Sequence, residues 1–340
     1  MDAMQRRSAD PLTRRGFLKL VAVSSLAAGV GIASLRRGQI SLKAAPYHAW
    51  RYLMGTVVHL TLIGFSINES FEAAERAFAE MQRLIDIFDH RKPLSALARL
   101  NRQSCLENPP AELTEVLSRA LYFCRLTGGK YDITIKPVFE ALRQGRKPAP
   151  HELALVDYQR ILLEQDRIRF VHPGMAVTLD SLAKGYIVER AARLLKSLGY
   201  PSLLVEAGGD LVTDGKGADE QPWQVGIAHP RQNTPQDLLA IIPVMSQAVA
   251  TSGDYLNHFN HDFSSHHIID PKTADSPSEL ASVSVLAESA LDADALSTAL
   301  MVLGIEEGLK LAESLAGVEA FLVRKDLSLY KTSGFPLRRW

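Results

Sequence analysis

Short runs rich in β-branched and aromatic residues dominate the second half of this 340-residue sequence. They predict strands at residues 168–171, 202–205, 223–227, 239–244, 248–251, 282–286 and 318–324. Helical periodicity interrupts these runs only at residues 182–198, 292–302 and 305–316. A parallel sheet needs a crossover connection between successive strands, and most of these strands have no helix between them. The pattern therefore predicts an α+β fold with largely antiparallel mixed sheets and packed helices.

The first half of the sequence adds helices around a few more strand-like runs. Alternation over residues 50–64 predicts a strand, and an apolar stripe over residues 69–88 predicts a helix. A second amphipathic helix is predicted for residues 111–126 and is ended by Gly128-Gly129. Residues 131–137 are strand-like and close on a proline. We expect residues 46–340 to form a single domain.

Residues 1–45 are predicted to be a targeting segment outside the fold. Residues 13–19 read Thr-Arg-Arg-Gly-Phe-Leu-Lys, and the 16 residues from Leu20 to Leu35 are uncharged and mostly apolar. This run is shorter than the roughly 20 residues of a membrane span and suits the apolar region of a signal. The segment resembles a twin-arginine export signal, with an amphipathic basic helix as the alternative. Both cleavage and retention as an anchor stay open, because basic residues crowd the cleavage zone at Arg36, Arg37 and Lys43.

Charge and cysteine content exclude some classes of partner and site. Lys and Arg number 38, as do Asp and Glu, so the formal net charge is zero. No electrostatic footprint points to nucleic acid. Cys105 and Cys124 are too few for a disulfide framework and lack the spacing of a zinc site. Either one disulfide or two free thiols remains open.

A carboxylate and a hydroxyl are four residues apart near the end of the sequence. Asp294 and Thr298 lie on a predicted helix, so both oxygens share one face, a turn apart. Carboxylate, hydroxyl, carbonyl and water oxygens are the ligands that Mg²⁺ prefers. The alternative is that Asp294 caps the helix and Thr298 bonds a backbone carbonyl.

Two further segments place glycines or a lysine where a strand is predicted to end. Residues 177–186 run from a predicted strand into a helix whose first amides, with Lys184, could bind a phosphate. The alternative is an ordinary helix cap beside a solvated lysine. Residues 206–210 follow another strand, and their paired glycines permit either close approach to a ligand or a tight turn.

Hydroxyls, histidines and acids are concentrated in residues 250–255 and 265–273. Histidine accepts a proton near neutral pH, so His267 is a candidate base for deprotonating an incoming hydroxyl. A zinc site is the alternative, formed by His258, His261, His266 and His267.

Taken in order, these segments resemble the FAD:protein FMN transferase family, the ApbE flavin transferases. The resemblance extends over residues 54–56, 95–101, 129–137, 177–186, 207–210, 223–230, 250–255, 267–273 and 293–300. It implies an ApbE-like flavin transferase fold. It also implies an enzyme that binds FAD, splits its pyrophosphate with Mg²⁺, and joins FMN through a phosphoester to a threonine or serine of an acceptor protein, releasing AMP.

The resemblance also implies roles for individual residues. The metal ligands would be Ser181, Asp294 and Thr298. The FAD contacts would be Met54, Lys130, Tyr131, Asp132, Lys184 and Ile268. His267 would be the base that activates the acceptor hydroxyl.

Three positions depart from the family pattern. Thr178 stands where the family has an acid that contacts FAD, and Asp180 is the candidate substitute. Arg91 replaces an aromatic residue and could stack on a ring of FAD. Ala274 replaces a glycine at a position where a positive φ is expected.

The export signal and the resemblance together imply partners and a compartment. We expect a periplasmic protein, either free or anchored at the inner membrane, that uses the twin-arginine export machinery. Its acceptor would be an exported or membrane-anchored redox protein, as in the maturation of membrane electron-transfer proteins that serve nitrous oxide reduction. The alternatives are a periplasmic FAD-binding or flavin-delivery protein without transfer, and an FAD pyrophosphatase that yields free FMN and AMP.

Overall fold

The computed structural model describes residues 45–232 and 237–337 of the chain. This part of the chain contains thirteen strands and seven α-helices. The strands are β1 Tyr47–Leu53, β2 Thr56–Ile63, β3 Cys105–Glu107, β4 Ile161–Leu163, β5 Arg167–Phe170, β6 Ser202–Ala207, β7 Asp210–Asp214, β8 Trp223–Ala228, β9 Leu238–Val244, β10 Ala248–Gly253, β11 Leu280–Ala287, β12 Glu319–Arg324 and β13 Leu329–Lys331. The helices are α1 Ile67–Phe88, α2 Ala96–Gln103, α3 Ala111–Leu126, α4 Lys136–Arg143, α5 Pro150–Leu153, α6 Ala183–Ser197 and α7 Ala290–Ser314. Two short 3₁₀ turns lie at Ile133–Ile135 and Tyr158–Arg160.

One eight-stranded sheet is the framework, in the order β1-β2-β6-β7-β10-β11-β12-β13. Every strand pair in the described part of the chain is antiparallel, including those of the small β3-β5-β4 sheet and the β8-β9 ribbon. The prediction of an α+β fold with largely antiparallel sheets is therefore confirmed.

The large sheet is covered on one face along most of its width and on the other face over its second half, so that Trp50 and Tyr52 of β1 stay exposed. Helices α1, α6 and α7 cover one face, where Leu60, Leu84 and Val188 belong to one extensive apolar core. The β8-β9 ribbon covers the other face over the second half of the sheet, and Ile242 packs there in one cluster with Phe321. Alternate residues of the central strands therefore belong to two different cores, as the period of two in a strand requires.

The seven strands and three helices predicted in the second half are confirmed, with ends that differ by at most two residues. The two last predicted helices are the two halves of α7, which is broken at Gly304 with φ 80° and ψ −172°. The Glu279 carboxylate accepts a hydrogen bond of 3.0 Å from the Ile305 amide and so caps the second half. A glycine is needed at this break because the conformation is costly for other residues.

The single strand predicted over residues 50–64 is wrong. The segment forms two strands, β1 and β2, joined by the two-residue turn Met54-Gly55, with φ of 53° and 77°. Positive φ at both central positions is the conformation of a type I′ hairpin turn, which suits the twist of the paired strands. The turn interrupts what is otherwise a continuous run of β-type residues.

The strand predicted over residues 131–137 is also wrong. The Asp132 carboxylate accepts hydrogen bonds from the Thr134 amide at 2.8 Å and the Thr134 hydroxyl at 2.6 Å, which starts a 3₁₀ turn that leads into α4. Residues 175–179, ahead of α6, form no strand either. Instead, the Asn101 side chain holds the amide and carbonyl of Val177 at 2.8 and 2.9 Å.

The strand ends beside α6 and α7 meet at one end of the large sheet. The turns Met54-Gly55 and Gly208-Gly209 are neighbours, because Val58 pairs with Ala207 and a Cβ on Gly208 would lie 2.8 Å from the Thr56 hydroxyl. Asp210 pairs with Ala250 of the adjacent strand, so the β10 segment ends beside these turns. This end of the sheet faces the N-terminus of α6 and brings together several motifs found in the sequence.

Some features fall outside these elements. The predicted signal at residues 1–45 lies, except for its last residue, outside the described residues. Within the described ranges, none of the helices combines the length and apolar character needed to cross a membrane. Cys105 and Cys124 are both free thiols.

Candidate active site

The first turn of α6 brings a lysine to the end of the sheet. The Lys184 ammonium lies 2.6 Å from the Asp210 carboxylate at the start of β7 and 3.5 Å from the Gly208 carbonyl. Asp210 is buried, so its carboxylate requires a charged or hydrogen-bonding partner. This ion pair fixes the lysine between α6 and the β6–β7 turn.

Asp294 reaches the same place from α7. Its Oδ2 accepts a hydrogen bond of 3.0 Å from the Gly185 amide, next to Lys184. The approach of the two helices depends on Gly185, since a Cβ there would lie 2.2 Å from the Ala290 carbonyl oxygen and 2.9 Å from the Asp294 Cβ. The segments around Ser181 and Asp294 are therefore adjacent in the structure.

Three acidic side chains and one lysine share this buried region. Burial, followed by the charge of Asp210, raises the pKa of Asp294 well above its ordinary value. Burial also raises the pKa of Asp210 and raises the pKa of Glu206 to about 7. Burial opposes the charged form of Lys184, yet Asp210, Asp294 and Glu206 keep its pKa above the ordinary value. The acids outnumber the positive charges, so an additional cation would stabilise their ionised forms.

Ser181, at the turn ahead of α6, is held by a tyrosine. The Tyr131 hydroxyl lies 2.7 Å from the Ser181 hydroxyl, and Tyr131 is buried with its ring edge against Phe123. Burial raises the pKa of Tyr131, so the phenol stays protonated and can donate this hydrogen bond. The contact fixes the Ser181 hydroxyl against Tyr131, whose pKa the charge of Asp294 also raises.

Thr298, one turn after Asp294, contacts β10. Its hydroxyl lies 3.0 Å from the Ser252 hydroxyl, which in turn lies 2.7 Å from the Ser297 hydroxyl. Ser297 donates a hydrogen bond of 2.9 Å to the Asp294 carbonyl. These contacts join Ser252, in the motif of residues 250–255, to Asp294 and Thr298, the predicted metal ligands of α7.

Charged side chains hold the N-terminus of α7 in position. The Glu189 carboxylate accepts hydrogen bonds from the Ser289 hydroxyl at 2.7 Å and the Ala290 amide at 2.8 Å. Arg119 of α3 makes a two-pronged pair with Asp292, at 2.7 and 2.6 Å. Glu189 thus accepts from an amide of the first turn that has no partner within the helix, and Arg119 neutralises the Asp292 carboxylate of the same turn. They fix the helix that carries Asp294.

His267 is half-buried on the loop that follows β10. Its Nδ1 lies 3.1 Å from the Asn257 carbonyl, which can only accept, so Nδ1 carries the proton and Nε2 has a free lone pair. Burial, with a smaller contribution from His266, lowers the pKa of His267 to about 4. The imidazole is therefore neutral at pH 7 and able to accept a proton at Nε2.

An ion-pair cluster anchors the loop that carries His267. Asp254 is wholly buried and is held by Arg231 at 2.7 and 2.8 Å and by Lys325 at 3.6 Å. The same two cations hold Phe263 in the middle of the loop. The Arg231 guanidinium lies 4.8 Å from the ring centre, and Lys325 donates to the Phe263 carbonyl at 3.0 Å.

The residues that depart from the family pattern differ in exposure, since Asp180 and Arg91 are exposed and Ala274 is buried. Asp180 lies 3.3 Å from His90, while Arg91 pairs with Asp89 at 2.8 Å. The Thr178 hydroxyl accepts from the Asp180 amide at 3.3 Å. Ala274 has φ 58°, as expected for a position where the family has glycine. FAD binding by Arg91, Thr178 and Asp180 stays a prediction.

The other predicted FAD contacts differ in how far their polar groups are already bonded within the protein. Met54 lies in the β1–β2 turn, Lys130 pairs with Asp270 at 3.7 Å, and Ile268 is buried next to His267. Asp132 differs, because both its oxygens accept hydrogen bonds within the protein, including one of 3.1 Å from the Tyr158 amide. Its contact with FAD also stays a prediction.

The zinc alternative lacks a ligand set. No group of three or more His, Cys, Asp or Glu side chains in residues 45–232 and 237–337 is arranged to hold a metal ion. His266 is buried, with Nε2 3.3 Å from the Pro277 carbonyl. A Mg²⁺ ion at Asp294 would need hydroxyl, carbonyl or substrate oxygens to complete its coordination, and the hydroxyls of Ser181 and Thr298 are of the right kind.

Several site residues were not predicted from the sequence. Asp210 and Glu206 lay in a recognised motif, but its paired glycines drew attention instead of its acids. Ser252 lay in a hydroxyl-rich motif without an assigned role. Glu189 gave no signal, because its partners on α7 are about 100 residues away in the sequence.

The sequence comparisons agree on one family. The profile of the ApbE family matches residues 54–322. The FAD:protein FMN transferase of Haemophilus influenzae is 30% identical over 297 residues, which are 80% of this chain and 85% of that protein. The FAD:protein FMN transferase of Escherichia coli K12 is 28% identical over 300 residues, 82% of this chain and 84% of that protein.

Solved structures give the same result. The flavin transferase ApbE from Vibrio cholerae has a TM-score of 0.76 and 27% identity, and the match covers 86% of this chain and 98% of that chain. The ApbE protein from Thermotoga maritima has a TM-score of 0.77 and 28% identity, and the match covers 87% of this chain and 100% of that chain. The chain therefore belongs to the ApbE family and has the fold of its flavin transferases.

Proposed function

We propose that this chain transfers FMN from FAD to the hydroxyl of a threonine or serine in an acceptor protein, forming a phosphoester and releasing AMP, and that the reaction depends on Mg²⁺. The observation that carries the proposal is the meeting of the Lys184-Gly185 segment with Asp210 and Asp294 at one end of the sheet, in a member of the ApbE family. The curated relatives are named FAD:protein FMN transferase.

Charge supports a pyrophosphate substrate at this place. Transfer of a phosphoryl-type group needs positioning and neutralisation of negative charge more than covalent catalysis. Lys184 supplies a fixed ammonium. The prediction that the first amides of α6 bind a phosphate finds little support, because the amides of Ala183, Gly185 and Tyr186 already donate within the protein. The acids alone would repel a pyrophosphate, so a divalent cation that offsets Asp210 and Asp294 is part of the proposal.

Mg²⁺ fits the oxygen donors present. Asp294, Ser181 and Thr298 would hold it. Burial raises the pKa of Asp294 and of Asp210 despite the nearby Lys184, so a bound cation would favour the ionised carboxylates. When bound, the ion would supply charge neutralisation to the phosphate oxygens and their leaving group.

His267 would accept the proton of the acceptor hydroxyl at its free Nε2. The hydroxyl oxygen attacks the phosphorus of the FMN half, a new P–O bond forms, and the P–O bond to AMP breaks, so AMP leaves with the bridging oxygen. Asn257 keeps the imidazole in the tautomer that this step requires.

We also propose that the enzyme works in the periplasm after twin-arginine export, either cleaved or anchored at the inner membrane. The twin arginines at residues 14 and 15 and the apolar run that follows support this proposal. The acceptor would then be an exported or membrane-anchored redox protein, since enzyme and acceptor must share a compartment.

The test is an incubation of the chain with FAD, Mg²⁺ and the flavin-free periplasmic domain of a membrane electron-transfer protein from the same organism. We expect flavin fluorescence that stays on the acceptor after denaturing electrophoresis, with one AMP released per flavin attached. An acceptor with its modified threonine or serine replaced by alanine should stay unlabelled. Free FMN with AMP would instead indicate a pyrophosphatase, and retained FAD without AMP would indicate a flavin-delivery protein.

A further inference from the structure

The hydroxyls of Ser252, Ser297 and Thr298 form a chain whose hydrogen-bond directions can be deduced. A carbonyl can only accept, so the Ser297 hydroxyl must donate its proton to the Asp294 carbonyl, 2.9 Å away. The 2.7 Å contact between Ser252 and Ser297 must then use the proton of Ser252. Each hydroxyl has one proton, so the 3.0 Å contact between Ser252 and Thr298 must use the proton of Thr298.

Thr298 therefore donates its hydroxyl proton to Ser252 of β10. In every other direction the Thr298 oxygen presents only lone pairs. A hydroxyl binds a cation through a lone pair, with its proton turned away from the ion. Ser252 is buried on β10 and Ser297 is wholly buried on α7, so water does not compete for these contacts. This series of hydrogen bonds starts at the backbone carbonyl of Asp294, the other predicted metal ligand on the same helix.

We infer that Ser252 is a positioning residue for the metal site, which takes the proton of Thr298 and so orients the threonine oxygen toward the cation. This inference rests on the proposed function, because it assumes that Asp294 and Thr298 hold Mg²⁺. It gives a role to the Ser252 hydroxyl within the Ala-Thr-Ser-Gly-Asp-Tyr motif at residues 250–255. Ser252 itself contacts neither the substrate nor the metal.

The test is a double-mutant cycle on Mg²⁺ affinity, measured by calorimetric titration of the FAD-loaded chain. We expect Ser252→Ala to weaken Mg²⁺ binding roughly three- to tenfold, which is what one neutral hydrogen bond is worth. In a Thr298→Ala background, the same change should alter the dissociation constant less than about twofold, because the oriented group is already gone. Equal weakening in both backgrounds, or none in the wild-type background, would overturn the inference.

Ser284→Ala is the matched control. Ser284 is also a buried serine of the large sheet, and its hydroxyl lies 2.8 Å from that of Thr251 instead of Thr298. Its removal should leave the Mg²⁺ affinity unchanged, and thermal unfolding of all variants checks that they fold.

The outcome separates this inference from the proposed function. A wild-type chain that binds Mg²⁺ in a Ser252-dependent way but labels no acceptor would contradict the transfer and leave the inference standing. Labelling of the acceptor without measurable Mg²⁺ binding would overturn the inference and leave the transfer standing.

Discussion

Asp294 combines a structural contact with an uncompensated charge. Its carboxylate accepts the Gly185 amide at 3.0 Å, a contact that an uncharged amide oxygen could also make. Its negative charge, by contrast, is disfavoured by burial and by Asp210. A residue whose charge costs stability in the metal-free protein is expected to use that charge in binding a cation or in catalysis.

Asp294→Asn should therefore separate charge from shape. We expect Mg²⁺-dependent flavin transfer to fall by about 100-fold or more, the usual effect of losing one preorganised electrostatic group. Without Mg²⁺, the melting temperature should be equal to or above that of the wild type, because an amide avoids the cost of ionising or protonating a buried carboxyl group. Flavin transfer and thermal unfolding, each with and without Mg²⁺, measure both effects.

Asp292→Asn is the control for this substitution. Asp292 lies two residues earlier on α7, but its carboxylate pairs with Arg119 and not with the site. It should keep nearly full transfer and lose about 1 kcal/mol or less of stability, as for a partly exposed ion pair. Full activity of Asp294→Asn would contradict the metal assignment.

The protonation state of His267 gives a prediction about pH. Burial lowers its pKa to about 4, so its signals in a ¹⁵N NMR titration of the metal-free protein should change near that pH, with Nδ1 protonated above it. The unfolded chain binds this proton already near pH 6.5. The unfolding free energy should therefore fall as the pH drops from about 6.5 to 4. A titration midpoint near 6.5 would contradict the burial of this side chain.

At the scale of elements, the site depends on how closely α6 and α7 approach each other. Gly185 permits the contact, and Glu189 anchors the α7 N-terminus to the second turn of α6. Both residues belong to α6, so this helix sets the distance between Lys184 and Asp294. Sequence periodicity predicts both helices but contains no information about this distance.

Gly185→Ala should push the two helices apart. The added methyl carbon would lie 2.2 Å from the Ala290 carbonyl oxygen, so we expect a loss of about 1–3 kcal/mol of unfolding free energy and weaker Mg²⁺ binding. Denaturant unfolding and calorimetric Mg²⁺ titration measure these effects.

Gly308→Ala, in the second half of α7, is the matched control for that change. Its added carbon would have no neighbour closer than 3.6 Å, so it should be neutral or stabilise by up to about 1 kcal/mol through helix propensity. Similar losses in both variants would show that close helix packing at Gly185 is not the cause.

At the scale of the whole molecule, local patterns predict elements, and pairing across the chain determines the site. The four-residue spacing of Asp294 and Thr298 and the strand-like runs after residue 167 are local, and the elements that they predict are present. The strand predicted over residues 131–137 fails because the Asp132 side chain starts a turn that composition does not reveal. The contact of Asp210 with Lys184 depends on the β6–β7 register and the packing of α6, which no single segment encodes.

The most direct test of this account is a crystal of the FAD complex with Mn²⁺ in place of Mg²⁺, examined by anomalous diffraction. We expect one anomalous peak in contact with the Asp294 carboxylate and the Thr298 hydroxyl, on the side where Ser181 lies and beside the pyrophosphate of FAD. A peak elsewhere, or FAD bound with no peak at Asp294, would contradict it.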